Sequence, residues 1–212
     1  MKRAVIFAGG TIADYSALPV SITNKDYIIC ADSGIVHCEN MSLSADLWVG
    51  DFDSADFDTY SKLDAACNAK VIRLNRMKDD TDTEYALDCA IERGYTKLVL
   101  VAGIGSRFDH SIANALLAEK YFDKGACLTI VNEKNAIRFA KNTSIDVSKG
   151  KFRYVSVIPL EDSVISCEGF LYPLCFEVLR RDSTRGISNE LTKEKGIVTV
   201  HSGCALVVES ID

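Results

Sequence analysis

The sequence predicts a two-part chain: an α/β unit built on a mostly parallel sheet with helices on both faces, then a small antiparallel β-sandwich. Two observations carry this. Between residues 4 and 131, short continuously apolar runs alternate with helix-length amphipathic segments, the pattern of strands covered on both sides. Beyond about residue 135 the helical period stops, and short alternating runs follow one another between turn signals. The division is placed at 1–134 and 135–212.

In the first unit, residues 4–8 read as a strand closed by Gly9-Gly10, and 27–31 as a second running into Asp32-Ser33-Gly34. Residues 47–49 form a third, spilling into Gly50-Asp51-Phe52-Asp53-Ser54. A helix over about 55–67 and a strand at 71–74 follow. Thr81-Asp82-Thr83-Glu84 is a capping box with Thr81 as N-cap; its helix carries Ala86, Leu87, Ala90 and Ile91 on one face and ends at Gly94. Residues 97–102 are a fifth strand, turning through Gly103-Ile104-Gly105-Ser106-Arg107 into a helix over 109–124. Residues 128–131 are a sixth. Strands and helices alternating in this way give a Rossmann-like sheet. In the second unit no helix is expected, and strands fall at 136–140, 154–158, 163–167, 175–179, 196–200 and 205–208.

The totals exclude some classes. Of 212 residues, 48% are hydrophobic and 25% charged, which suits a packed core. A net charge of −6 argues against a nucleic-acid binder with a basic face, though not against a nucleotide ligand. The first apolar run is too short for a signal-peptide core, and no later stretch is long enough to span a membrane. Eight cysteines contain no Cys-x-x-Cys pair, so reduced, mostly buried thiols in a cytoplasmic protein are expected, and zinc is not.

In open parallel sheets ligands bind at the carboxyl ends of the strands. Four acidic or glycine-rich segments fall there: Asp32-Ser33-Gly34, Gly50-Asp51-Phe52-Asp53-Ser54, Lys78-Asp79-Asp80-Thr81-Asp82 and Gly103-Ile104-Gly105-Ser106-Arg107-Phe108-Asp109-His110. In extended backbone Asp51 and Asp53 share a face, and two carboxylates aimed together call for a hard cation such as Mg²⁺. The Gly103/Gly105 turn lets backbone approach a phosphate, with Arg107 as a forked clamp. No Gly-x-x-x-x-Gly-Lys-Ser/Thr loop exists, so this is not a P-loop enzyme. Bland readings stand beside these. Asp82 and Asp109 also suit helix starts, His110 in a first helical turn can be structural, and His37 and His201 carry no motif.

These segments resemble the thiamine pyrophosphokinase family. The resemblance rests on Cys30-Ala31-Asp32-Ser33-Gly34, Gly50-Asp51-Phe52-Asp53-Ser54, Lys78-Asp79-Asp80-Thr81-Asp82-Thr83-Glu84 and Arg107-Phe108-Asp109-His110 with Asn114. Gly169-Phe170-Leu171-Tyr172-Pro173-Leu174 and Ser188-Asn189-Glu190 extend it through the second unit. It implies an ATP-binding α/β domain, a C-terminal β-sandwich, and a homodimer with thiamine near the subunit interface. It also implies transfer of a pyrophosphoryl group from Mg-ATP to the hydroxyethyl arm of thiamine, releasing AMP. By the same resemblance Asp51, Asp53, Asp82 and Arg107 are the candidate catalytic residues. Asp32, Asp79, Thr81, Arg107, Asp109, His110 and Asn114 surround ATP. Asp51, Asp53, Asp79 and Asp82 hold Mg²⁺, and Tyr172, Ser188 and Asn189 face thiamine. Ser33 and Ser106 stand where the family commonly has glycine, and Ile35-Val36-His37 replaces the more usual Ala-Asn-His. A pyrophosphokinase acting on a hydroxymethyl pterin and a non-catalytic nucleotide or thiamine-phosphate sensor are the alternatives.

Overall fold

The computed structural model describes residues 3–52, 69–75 and 79–212. The helix expected over 55–67 lies outside the described residues, as do Asp53 and Lys78. Two compact units divide the chain, Met1–Glu133 and Lys134–Asp212.

Among the described residues, the first unit has six strands: β1 (Arg3–Phe7), β2 (Tyr27–Ala31), β3 (Leu47–Gly50), β4 (Lys70–Arg73), β5 (Lys97–Val101) and β6 (Cys127–Val131). Their spatial order is β4-β3-β2-β1-β5-β6, and every adjacent pair is parallel. Val5, Ile6, Phe7, Ile28, Ile29, Leu47, Leu98 and Leu100 are almost wholly buried, which is why these segments read as continuous apolar runs. The chain steps outward from β1 to β4 and returns to the other side of β1 with β5. Strand order therefore reverses at β1, where a parallel sheet opens a crevice at its carboxyl edge.

Among the described residues, three α-helices accompany the sheet: α1 (Ile35–Asn40), α2 (Asp82–Glu92) and α3 (Phe108–Asp123). The Thr81 hydroxyl accepts the Glu84 amide at 3.2 Å, the N-cap half of the expected capping box. The Glu84 carboxylate takes Lys120 Nζ at 2.7 Å, which ties α2 to α3. Asp88 adds Lys120 and Lys124 at 3.1 and 2.6 Å, and the Tyr121 hydroxyl donates to the Glu84 carbonyl at 3.0 Å.

The second unit has eight antiparallel strands and, among the described residues, no helix: β7 (Asn135–Lys141), β8 (Ser144–Ser148), β9 (Tyr154–Pro159), β10 (Ser163–Glu168), β11 (Leu174–Leu179), β12 (Asn189–Glu190), β13 (Lys195–Ser202) and β14 (Cys204–Ser210). One group is ordered β7-β14-β9-β12 and the other β11-β10-β13-β8. Ala140, Val155, Val157, Ala205 and Val207 from the first group share one core with Ile145, Val147, Ile165, Cys167, Val198 and Val200 from the second. Two strands lay beyond the sequence reading, β8 and the two-residue β12. In β8 only Ile145 and Val147 alternate inward, too short a signal to separate from a turn.

Candidate active site

Three loops leaving β1, β2 and β5 meet the start of α2 around a cleft of about 470 Å³. Its walls are Ala8 to Thr11, Ala31 to Ser33, Thr81 to Thr83, the 102–107 turn, His110 and Asn114. Of the sequence candidates, Asp32, Thr81, Asp82, Arg107, His110 and Asn114 line it. Asp51, Asp79 and Asp109 do not. Phe52 has a φ of 62°, so the extended backbone assumed for placing Asp51 and Asp53 on one face ends at that residue. Among the described residues, no group of three or more His, Cys, Asp or Glu side chains clusters as a self-contained metal site.

The loops are tightly fitted. A Cβ at Gly10 would stand 2.2 Å from the Ala102 carbonyl oxygen, and one at Gly34 would stand 2.1 Å from that of Phe7. The Gly10 amide donates to the Ala102 carbonyl at 3.2 Å. Asp32 adopts a φ of 48°, unusual for a residue with a side chain, and its carbonyl accepts the indole N–H of Trp48 at 2.8 Å. Trp48, wholly buried on β3, thus meets its own donor requirement while fixing the Asp32 loop.

Arg107 and Asp109 form a two-armed pair, Nε to Oδ1 at 3.3 Å and Nη2 to Oδ2 at 2.6 Å. The guanidinium holds the Asp109 carboxyl well below the usual range, at about 2. Asp109 is therefore not the N-cap that a helix start at 109 implies. That position is Arg107, without a side-chain cap bond, and α3 opens one residue earlier. Asn114, buried, donates to the Gly103 carbonyl at 2.7 Å. Ser111 receives the Gly105 amide at 3.1 Å and donates to the Arg107 carbonyl at 2.9 Å. The glycine turn is thus laced from beneath by α3.

His37, given no role by sequence motif, lies buried on α1 behind the Gly9-Gly10 wall. Its Nε2 is 2.8 Å from the Gly10 carbonyl and its Nδ1 is 2.8 Å from the Tyr15 hydroxyl. The hydroxyl in turn accepts from Asn40 Nδ2 at 2.8 Å. Burial pushes the imidazole below its ordinary value, against the opposing pull of the Gly10 and Ala8 carbonyls.

The second unit carries a separate groove of about 390 Å³. Phe170 to Leu174 form one side, Arg185 to Ile187 and Asn189 another, and Val155, Val157, Cys167 and Val198 the floor. Tyr172 is exposed at its rim. The Asn189 side chain accepts the Tyr172 amide at 3.0 Å and donates to its carbonyl at 2.8 Å, bracing the wall. Ser188 has a φ of 59°, and its amide donates to the Ser156 hydroxyl at 3.0 Å.

Two family models match this chain: the catalytic domain of thiamin pyrophosphokinase over residues 18–130, and its vitamin B1 binding domain over 142–207. The chain belongs to the thiamin pyrophosphokinase family. A thiamine pyrophosphokinase of Bacillus subtilis (strain 168) is 28% identical over 225 residues, covering all of both chains. A crystal structure of thiamine pyrophosphokinase from Bacillus subtilis superposes with a TM-score of 0.90 at 27% identity over the whole of both chains. The enzyme from Geobacillus thermodenitrificans gives 0.86 at 28%, over all of this chain and 98% of the other. The α/β unit with a separate antiparallel unit is thus the architecture of thiamin pyrophosphokinases. The groove lies wholly inside the span matched by the vitamin B1 binding model, and the cleft, apart from its Ala8 to Thr11 wall, inside that of the catalytic model.

Proposed function

We propose that this chain is a thiamine pyrophosphokinase, transferring the pyrophosphoryl group of ATP to the hydroxyethyl oxygen of thiamine and giving thiamine diphosphate and AMP. The observation that carries this reading is the pairing, in one chain, of a catalytic-domain match over a polar cleft with a B1-binding match over an apolar groove. The cleft's position at the carboxyl edge of a parallel sheet supports a doubly wound, nucleotide-binding reading of the first unit.

In this reading the thiamine hydroxyl oxygen bonds to the β-phosphorus while the bond from that phosphorus to the α–β bridging oxygen breaks, and AMP departs. All three phosphates must be neutralised, so positioning and electrostatics dominate. Arg107, already oriented by Asp109, presents its remaining N–H groups to phosphate oxygens. The amide-rich starts of α2 and α3 add partial positive charge. Asp32 and Asp82 line the cleft together, and two carboxylates beside phosphates and water suit the oxygen preference of Mg²⁺. When bound, that ion would offset phosphate charge and polarise the attacked phosphorus. In this reading an aspartate of the cleft, such as Asp82, would receive the alcohol proton. Asn114 acts on the nucleotide through Gly103, and Asn189 acts on thiamine through Tyr172, since the hydrogen bonds of each already hold a loop. Phe170 and Tyr172 offer aromatic surface to the thiamine rings.

A homodimer accompanies this reading. Phe176 and Val178 on the edge strand β11 and Ile197 on β13, with Leu171, Tyr172 and Ile187 at the groove, leave an unusual share of large apolar side chains exposed on a unit of this size. Their cover would be a second copy, with Tyr172 and Ser188 near the joint. The buried free cysteines Cys30, Cys38, Cys89, Cys167 and Cys204 suit a reducing cytoplasm. Among the described residues, no helix is long and apolar enough to cross a membrane.

The test is AMP release from Mg-ATP with and without thiamine, followed by separation of the nucleotide products. Thiamine-dependent AMP with thiamine diphosphate is the expected result. Formation of ADP, or AMP release that ignores thiamine and responds to a hydroxymethyl pterin, would overturn the reading.

A further inference from the structure

We infer that His37 is a positioning residue for the nucleotide cleft, and that through it the backbone N–H of Thr11 is held out as a donor to a phosphate oxygen. This rests on the nucleotide-binding reading of the cleft. The argument starts from the ring. A carbonyl oxygen only accepts, so the 2.8 Å contact to Gly10 places the proton on Nε2. A neutral imidazole with Nε2 protonated has Nδ1 free to accept, and the Tyr15 hydroxyl at 2.8 Å supplies that proton. The Tyr15 oxygen receives the Asn40 amide in turn, so each of the three side chains has a fixed direction of donation.

The consequence lies one peptide further along. In a planar trans peptide the carbonyl oxygen and the following N–H point to opposite sides. With the Gly10 oxygen drawn down to the buried ring, the Thr11 N–H is turned to the side away from His37, where exposed Thr11 forms part of the cleft wall. That N–H has no hydrogen-bond partner among the described residues. The flanking peptides are tied down: the Gly10 amide to Ala102, and the amides of Ala13 and Asp14 to the Glu133 carboxylate. A fixed loop that leaves an exposed backbone donor toward a cleft suits an anionic oxygen. His37 itself is buried and does not line the cleft, so its effect is transmitted through the peptide plane.

Three variants separate this role from plain packing. His37→Gln keeps an N–H near the position of Nε2; His37→Leu removes it; Tyr15→Phe removes the proton that fixes the tautomer. The expected result is an ATP KM raised about tenfold in His37→Leu, the scale of one hydrogen bond to a charged group. Gln should restore most of it, with the thiamine KM unmoved in each. Equal ATP KM values for Leu and Gln, or a loss shared equally with thiamine, would overturn the inference. Two spectroscopic readouts do not depend on turnover: the ¹⁵N signature of the His37 tautomer, and the shift of the Thr11 amide on adding pyrophosphate. An Nδ1-protonated ring, or turnover with an unmoved Thr11 amide, refutes the positioning role even where Leu fails to fold. A Thr11 amide that responds to pyrophosphate in a protein releasing no AMP would instead refute the proposed activity and leave His37 its role.

Discussion

Gly10→Ala is the substitution whose consequence the structure fixes most sharply. The added Cβ would lie 2.2 Å from the Ala102 carbonyl oxygen, where real contacts do not fall below 3.0 Å. Neither partner is the end of a flexible side chain, so one cleft wall must retreat from the other by close to 1 Å. Overpacking of this kind costs about 1–3 kcal/mol, or roughly 4 °C of melting temperature per kcal/mol in a unit of this size. The chemical cost is larger, because a misplacement near 1 Å in a positioning site lowers the rate by about 100-fold. Gly105 supplies the control: it lines the same cleft, yet a Cβ there meets nothing within 4 Å. Gly105→Ala should therefore melt with wild type, so any rise in its ATP KM reads how closely phosphate approaches that turn. Differential scanning fluorimetry and thiamine-dependent AMP release measure both quantities. A Gly10→Ala protein with wild-type melting and turnover would refute the picture of two backbone walls in contact.

Arg107→Lys keeps the charge but cannot reproduce the two-armed grip on Asp109, so the ATP KM should rise about tenfold or more while the thiamine KM stays put. Asp82→Asn removes a carboxylate from the cleft and should weaken Mg²⁺ dependence together with kcat; full turnover at ordinary Mg²⁺ would remove Asp82 from the site. In acid, stability should fall. Asp26 is held below its ordinary value of 3.8 by hydrogen bonds from Arg3, and Asp88 is too, burial being outweighed by Lys124 and Lys120. Stability from such depressed carboxyls is complete above the unfolded value and lost as pH drops through the folded one. The urea midpoint should decline below about pH 4, less steeply in Asp26→Asn. If two chains cover the exposed apolar residues of the second unit, light scattering at micromolar protein should give near twice the 23.2 kDa chain mass.

Much of the fold was legible because burial and sequence period agree. β2 runs from Tyr27 to Ala31 as expected, and β1, β3, β5 and β6 differ from expectation by a residue or two, since strands covered on both sides announce themselves as apolar runs. What escaped is short. α1 has six residues, fewer than two helical turns, and offers no period to detect. In the site, the segments that meet were readable as segments, but what each polar side chain does there was not. Asn114 and Asn189 read as ligand groups, and the reading gave no sign that each also donates to a loop carbonyl. Asp109 reads as a cap, yet it orients Arg107. His37, Tyr15 and Trp48 carried no motif, yet they fix Gly10 and Asp32.

These cases share a cause. A loop approaching a phosphate must expose backbone N–H groups to the ligand, so its carbonyls turn the other way, into the protein, where each needs a donor. Those donors come from whatever side chain the fold places beneath: an indole on β3, an imidazole on α1, an amide on α3. Their sequence positions follow from three-dimensional packing and have no fixed spacing from the loops they serve. One signal was nonetheless available. Trp48 is the only tryptophan of the chain and sits in an apolar run two residues before Gly50. A buried indole always requires an acceptor, and the nearest backbone free of strand pairing is a neighbouring strand's loop. The same reasoning identifies which substitutions should act at a distance. Trp48→Phe keeps the apolar bulk but removes the indole N–H that donates to the Asp32 carbonyl, where the backbone φ is 48°. It should cost about 1–3 kcal/mol of stability and weaken ATP more than thiamine. An equal loss for both substrates would mean that Trp48 supports the core of the first unit and not the Asp32 wall.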